Sequence, residues 1–495
     1  MARIVFKSAS ELAAMIRNKE ISSFELTKQF LEQIDDLNPR LQAIVYNRAE
    51  DALREAQEAD QLLENGELKG RLHGVPFTVK ESFEIADIPT TLNAYKLRNN
   101  IAKRNSSVVE KIKDEGGILL GKTNVPTYLA DIQTAGQLFS TAINPHDETR
   151  TTGGSSGGSA CAVSAGMSGF CIGTDMDGSL RLPAHFCGVY TLKPTYGAIP
   201  LNGHLIPVSD VRSRIELLQS TGPVARSLQD LELVFSIMQQ THPELLLAQS
   251  YKSSNRLRPF EEYRVSFSTN LGRYHTSYAT AQAMNELFEN LRLEGVSCIP
   301  DRPKVSISRM LDLWAELLGF TLSQGLSYWK RKKMTYSLRN HKTLGELGRK
   351  ISNGFTNDFN QFANSLRIRE LMVNTFEAFF QEYDFWICPV AMGQAFEHCR
   401  PGSEIRLEHA HIPYYHYSTP FNCIANLTGI PSLVVPVKKL QDGMPIGIQI
   451  MGRYGSERQL FDFAKQLEKF VMGYSIPNLL DVDRAIYTED ELNYK

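Results

Sequence analysis

The sequence predicts an α/β fold, and three observations carry that prediction. Helical apolar stripes and short β-prone runs alternate through the first half of the chain. The 495 residues are 42% hydrophobic and 22% charged, enough to bury a full core without disulfides or a structural metal. No run of about 18 apolar residues occurs, so no membrane span is expected. A length of ~150 residues per domain would allow about three domains. One large α/β unit fits equally well, because no repeat, low-complexity tail or long linker forces a boundary.

The elements follow in chain order. The 1–65 region reads as helices. Ser22 and Glu25 form a capping box ahead of Leu26, Phe30, Ile34 and Leu37, and Pro39 is expected to stop that helix. A second stripe, Ala49, Ala52, Leu53, Ala56, Ala59, Leu62 and Leu63, runs to Gly66. The next stretch, 66–224, alternates short strands and helices. Within it, 72–79 is β-prone and ends in Lys80, 107–115 is helical and 117–121 is a strand. The string Gly153-Gly-Ser-Ser-Gly-Gly-Ser159 enters a small-residue helix over 160–167. A strand at 170–173 and a small, polar turn at 174–179 follow. Residues 225–380 are mainly helical in pattern, and the basic cluster at 329–333 reads as a solvated face. The closing region, 381–495, offers buried strands at 432–437 and 446–451 and a helix over 457–470.

Charge excludes some functions. Lys plus Arg is 53 and Asp plus Glu is 55, a net −2, without the basic excess of a nucleic-acid binder. Seven scattered cysteines with no Cys-x-x-Cys read as reduced, structural thiols. The first residues lack the apolar segment of a signal peptide, so a cytoplasmic location is expected. His409, His411 and His416 come without a complete ligand set, so neither metal nor cofactor is expected.

The glycine- and serine-rich segment allows three readings. A phosphate loop would need Gly-Lys-Ser/Thr, and here Gly158 is followed by Ser159 and Ala160. A nucleophile elbow matches Gly153-Gly-Ser155-Ser-Gly157, but it must follow a buried strand. Residues 145–152 are polar and make a poor strand, and none of His185, His204, His409 or His411 stands out as the partner base. The third reading joins two serines to a lysine. Lys80 ends an apolar run, and burial lowers a lysine's pKa so that the neutral amine can act as a base. The turn ending at Ser179 would then supply backbone N–H groups to a tetrahedral oxyanion.

At these residues the sequence resembles the amidase-signature enzymes, and the likeness spans most of the chain. Its centre is Gly153-Gly-Ser-Ser-Gly-Gly-Ser-Ala160 and Gly173-Thr-Asp-Met-Asp-Gly-Ser-Leu-Arg-Leu-Pro-Ala184. Phe186-Cys-Gly188, Leu192-Lys-Pro-Thr195, Gly74-Val-Pro-Phe-Thr-Val-Lys80 and Gly121-Lys-Thr-Asn-Val-Pro126 extend it. Asn426-Leu-Thr-Gly-Ile-Pro431 and Gly443-Met-Pro-Ile-Gly-Ile-Gln449 close it. The resemblance implies one large domain with a mixed, twisted sheet flanked by helices, in which 225–380 shapes the substrate pocket. It implies a Ser-cisSer-Lys triad: Ser179 as nucleophile, Ser155 as the relay after a cis peptide bond, and Lys80 as general base. It also implies an oxyanion hole around Met176, Asp177 and Gly178, and a pocket-lining place for Leu129. The implied substrate is a small-molecule amide, and a homodimer is a family-level expectation.

One position departs from the family pattern. Asp177 replaces the glycine usual before Gly178-Ser179, as in the family's peptide amidases. It is expected either to brace the turn or to attract a cationic group. Asp175 and Arg181 are expected to form a structural pair, and Ser156 and Ser159 to bond loop backbone. The expected function is a serine amidase. One alternative is a transacylase that passes the acyl group to an amine acceptor in secondary-metabolite (colibactin-like) biosynthesis. The others are the A-subunit of a tRNA-dependent amidotransferase and a non-catalytic scaffold. The segment Pro200-Leu-Asn-Gly-His-Leu-Ile-Pro207 resembles stand-alone amidases, not the amidotransferase component.

Overall fold

The computed structural model describes residues 4–205, 217–239, 258–341 and 344–481. Helices α1 (Ala9–Arg17) and α2 (Ser23–Leu41) precede strand β1 (Ile44–Asn47), α3 (Ala49–Glu64), β2 (Pro76–Lys80), α4 (Ser107–Asp114) and β3 (Ile118–Thr123). The short strands β4 (Ile143–Asn144) and β5 (Asp147–Thr151) lead to α5 (Gly157–Ser164), β6 (Phe170–Asp175) and α6 (Arg181–Cys187). Then come β7 (Tyr190–Lys193), β8 (Ser220–Ala225) and α7 (Leu228–Gln239). The middle of the chain gives β9 (Arg264–Phe267), α8 (Tyr278–Leu293), β10 (Ser297–Pro300), α9 (Ile307–Ser323), α10 (Tyr328–Arg339), α11 (Gly345–Thr356) and α12 (Phe359–Glu382). The chain continues with β11 (Phe385–Pro389), β12 (Ile405–Leu407), β13 (Ala410–Ile412) and α13 (Thr419–Thr428). Strands β14 (Ser432–Lys439) and β15 (Pro445–Gly452) and helix α14 (Glu457–Leu467) follow.

Eleven strands form one sheet in the order β1-β3-β2-β6-β8-β7-β14-β15-β11-β9-β10. It is mixed: β3, β2 and β6 run parallel, as do β11, β9 and β10, and the strands between them pair antiparallel. Alternating side chains serve two cores, as strand pleating requires. Along β11, Phe385 and Ile387 enter the core shared with α1, α2, α7, α8 and α14, while Trp386 and Cys388 enter the one shared with α9, α11, α12 and α13. The expected single α/β domain with a mixed sheet between helices is what forms.

Four local expectations are corrected. Helix α2 runs through Pro39 and ends at Gln42, whose left-handed φ of 53° closes it. A proline in the last turn forfeits only one helical hydrogen bond. The N-terminal region holds a strand as well as helices, since β1 forms the sheet edge. The polar 145–152 stretch does contain a strand, β5, but it pairs with β4 in a separate small hairpin and not in the main sheet. The 225–380 region contributes β9 and β10 to the opposite edge in addition to its helices.

Helices α9 and α11 touch backbone to backbone. A Cβ at Gly319 would overlap the Ile351 carbonyl oxygen, and one at Gly354 the Glu316 carbonyl oxygen. Gly319→Ala is therefore expected to destabilise the protein by about 1–3 kcal/mol through overpacking, despite alanine's better helix propensity. Thermal unfolding of the two proteins checks this; an unchanged or raised midpoint contradicts it.

Candidate active site

Strand β2 carries Lys80 into the middle of the sheet. Thr78 and Val79 pair with Cys171 and Ile172 of β6, so the parallel register carries Lys80 level with Gly173, from where its side chain reaches Thr174. Lys80 Nζ lies 2.8 Å from Ser155 Oγ, 3.0 Å from Thr174 Oγ1 and 3.4 Å from the Thr174 carbonyl. Its side chain has no exposed surface. Desolvation pulls its pKa down to about 7, outweighing the Asp175 charge that acts the other way. These three contacts suit both protonation states. An ammonium donates to all three oxygens, whereas a neutral amine donates to Thr174 and offers its lone pair to the Ser155 hydroxyl.

Ser155 follows a cis peptide bond from Gly154. Residue 154 has to be glycine, because a Cβ there would overlap the carbonyl oxygens of Asp131 and Gln133. Ser156 N–H donates to the Ser179 carbonyl over 3.0 Å, which ties the serine-rich segment to the turn after β6. Ser179 is half-buried on that turn, and its Oγ makes no hydrogen bond among the described residues. Ser156 Oγ donates to the Thr174 carbonyl, whereas Ser159 Oγ pairs with the Thr123 side chain of β3 and not with the expected loop backbone.

The turn is organised by a buried ion pair. Arg181 and Asp175 are both inaccessible, with Nη2 2.9 Å from Oδ1. Arg181 also donates to Gln449 Oε1, to the Asn422 carbonyl and to Asn426 Oδ1. Asp175 accepts the N–H groups of Gly178, Leu180 and Arg181. Arg181 and these donors outweigh burial and hold the Asp175 carboxyl below the usual carboxylate range. One expectation is corrected here. The Gly178 N–H is committed to Asp175 over 2.8 Å, so it is not available to an oxyanion. The N–H groups of Met176, Asp177 and Ser179 have no acceptor among the described residues.

Asp177 is braced. Thr419 Oγ1 donates to its Oδ2 over 2.8 Å, while its Oδ1 is buried without a partner among the described residues. Burial pushes this carboxyl well above the usual range. Gly178 has φ +82° and lies against Asn422, leaving no room for a side chain. Leu129 is half-buried at φ +60°, on the loop whose 131–133 segment covers Gly154. Tyr414 ties that loop down: its hydroxyl donates to Asp131 Oδ1 and accepts from Gln133 Nε2.

Sequence reasoning missed Thr174, Thr419 and Tyr414 in this site, and also Trp314, whose indole N–H donates to the Met176 carbonyl. Asn426 and Gln449 stood in quoted motifs without a role. His185 bonds the Gly393 carbonyl and the Gly447 N–H, a structural place. Among the described residues no group of three or more His, Cys, Asp or Glu side chains is placed to hold a metal ion. No described helix is long and apolar enough to cross a membrane. The basic cluster lies on α10, where Trp329 is 77% exposed.

Known proteins share this sequence pattern and fold. The family model described as Amidase matches residues 25–461. The chain is 28% identical to the A-subunit of the glutamyl-tRNA(Gln) amidotransferase of Clostridium kluyveri, over 96% of this chain and 98% of that protein. Among solved structures, 6-aminohexanoate cyclic dimer hydrolase complexed with substrate superposes with a TM-score of 0.78 at 23% identity, covering 97% of this chain and 100% of that one. A bacterial aryl acylamidase of the amidase-signature family gives 0.76 at 21% identity, covering 94% and 96%.

The ion pair yields a stability prediction. Asp175→Asn leaves the Arg181 charge buried without its counter-ion and should cost about 3–5 kcal/mol. The folded pKa of Asp175 is depressed, so its contribution is full above the unfolded value of about 3.9 and is lost as pH falls toward the folded value. Denaturant titrations at neutral pH and near pH 3 should show the variant's deficit shrinking in acid. A deficit that does not change with pH contradicts the assignment.

Proposed function

The chain belongs to the Amidase family, enzymes that act on carbon–nitrogen bonds, and we propose that it is a serine amidase working through a Ser179 acyl-enzyme. The observation that carries this reading is the inaccessible Lys80 amine, 2.8 Å from Ser155 Oγ and titrating at about 7. Near neutrality a substantial fraction of Lys80 is a neutral base.

Protons and charge balance at each step. Ser155 gives its hydroxyl proton to Lys80 Nζ and takes the Ser179 proton. Ser179 Oγ bonds to the amide carbonyl carbon, and the charge moves to the carbonyl oxygen. The N–H groups of Met176, Asp177 and Ser179 receive that oxyanion, a setting in which each donor is worth ~3 kcal/mol. The C–N bond then breaks, and the leaving amine takes a proton back from Lys80 through Ser155. Water attacks the acyl-enzyme by the same relay and releases the acid. An amine in place of water would yield a new amide. Met176 packs against the apolar core that includes side chains of α9 and α13, which supports a substrate with an apolar acyl part.

A second reading rests on the sequence relatives. Several are named as the A-subunit of glutamyl-tRNA(Gln) amidotransferase and match over nearly the whole chain at 27–30% identity. On that reading the amide is glutamine, and a partner that handles tRNA receives the ammonia.

Intact-protein mass after fluorophosphonate treatment tests the nucleophile. Wild type should gain one adduct and Ser179→Ala none; an adduct on both, or on neither when both are folded, overturns the assignment. Lys80→Met should slow labelling at least ~100-fold, the usual size of a lost general base. The wild-type labelling rate should rise with pH and reach half its plateau near pH 7, because only the neutral amine accepts the proton. A rate that is flat from pH 6 to 8 contradicts the lysine's role. Turnover of aryl and alkyl amides by the isolated chain, set against glutamine, separates the two readings. The products formed with added amine tell hydrolysis from acyl transfer.

A further inference from the structure

The three N–H groups of the turn that lack acceptors among the described residues share a construction. A trans peptide is planar, and its carbonyl points opposite to the N–H of the next residue. Holding the carbonyl therefore aims the N–H. The Asp175 carbonyl accepts from Asn426 Nδ2 over 3.1 Å, which aims the Met176 N–H. The Gly178 carbonyl accepts from the Leu182 N–H over 2.8 Å, which aims the Ser179 N–H. The Met176 carbonyl accepts from Trp314 Nε1 over 3.1 Å, which aims the Asp177 N–H.

Asn426 and Leu182 lie in segments that carry the family's signature. Trp314 does not. It sits on α9 in the 225–380 region, is 3% exposed, and belongs to the apolar core that α9 shares with α11, α12 and α13. Met176 packs against the same core. A tryptophan of this size would be held there by its ring alone, yet its single polar atom is spent on the turn just ahead of Asp177-Gly178-Ser179.

We propose that Trp314 is a positioning residue for the amidase reaction: its indole N–H fixes the Met176–Asp177 peptide plane and thereby directs the Asp177 N–H at the oxyanion. The proposal rests on the Ser179 acyl-enzyme reading given above. Among the described residues the hydrogen bond of Trp314 goes to the Met176 carbonyl and not to the Lys80–Ser155 pair. It contributes to stabilising the transition state and leaves the base untouched. In this way the divergent helical region supplies one of the restraints on the reaction centre.

Two variants test this. Trp314→Phe removes the donor and part of the ring. Replacement of Trp314 by 3-benzothienylalanine keeps the bicyclic shape and puts sulfur where the N–H was. For each, the rate of fluorophosphonate labelling at Ser179 is measured from pH 5.5 to 9 beside the thermal midpoint, with turnover and KM on any amide that wild type cleaves. The benzothienyl variant should label and turn over roughly 10- to 100-fold more slowly, short of or up to the loss of a whole oxyanion donor. Its KM should stay within about twofold, and the pH of half-maximal rate should stay at the wild-type value, because the Lys80 site is intact. A merely structural role predicts a lowered midpoint and a displaced pH profile, with no specific loss in kcat. If Trp314→Phe fails to fold, the benzothienyl variant alone decides. Wild-type rates in a folded benzothienyl variant overturn the proposal. Absence of labelling in wild type overturns the acyl-enzyme reading instead, so the two failures are distinct.

Discussion

A carboxylate and a guanidinium that both lack exposed surface must find all of their partners inside the protein, and Asp175 and Arg181 do so only when four separate segments meet. β6 brings the carboxylate and α6 the guanidinium. α13 adds the Asn422 carbonyl and the Asn426 amide, and β15 adds Gln449. Each contact alone is modest in net terms. Leaving any one of these groups unsatisfied is what costs, because desolvation has already been incurred. The pair therefore acts as a check on assembly. The C-terminal third of the chain must be docked before the turn bearing Ser179 has its shape, since Asp175 also takes the N–H groups of Gly178, Leu180 and Arg181.

The same carboxylate sets a limit on the chemistry. Asp175 is the largest influence keeping Lys80 protonated, and burial is the larger force neutralising it. The ion pair shapes the turn, and at Lys80 burial outweighs the charge of its carboxylate. Asp177 shows the opposite balance. Among the described residues its one hydrogen-bond partner is the Thr419 hydroxyl, and desolvation raises its pKa. Two aspartates two residues apart differ because one faces a guanidinium and the other does not.

Much of this was legible in the sequence, for particular reasons. Lys80 stood out because a lysine ending the run Val75 to Val79 has to be buried with it. The Asp175–Arg181 pair was legible because charges that are buried need partners. The strands at 432–437 and 446–451 announced themselves as continuous apolar runs, and the structure extends each by a residue or two. Strands β9 and β10 did not. Each is four residues long, and β9 is Arg-Val-Ser-Phe, too short for a period of two to show against the helical stripes around it. β5 was passed over because its side chains are polar, which an exposed hairpin tolerates. The availability of single N–H groups was not legible at all. Glycine-rich composition suggests that a turn has donors to offer, but only the Asp175 carboxylate reveals that Gly178 has already given its own.

Trp314 illustrates the deeper limit. In the sequence it is one apolar residue among Leu311, Leu313 and Leu317, and helical spacing accounts for it fully as core. Its hydrogen bond to Met176 depends on where α9 lies relative to the turn, and that is fixed by contacts far along the chain. α9 meets α11 through the glycines at 319 and 354, so the two helices cannot slide apart without opening a void or together without a clash. α9 also packs on α13, which reaches the turn independently through Thr419 and Asn422. The divergent region and the signature core are therefore mechanically joined at the oxyanion turn. If α9 lines the substrate pocket, as the family resemblance implies, a substitution that reshapes the pocket by moving α9 also moves a restraint on the proposed reaction centre. Substrate choice and catalytic rate would then be coupled, unless the change leaves the α9 backbone in place and alters only the side chains that face the substrate.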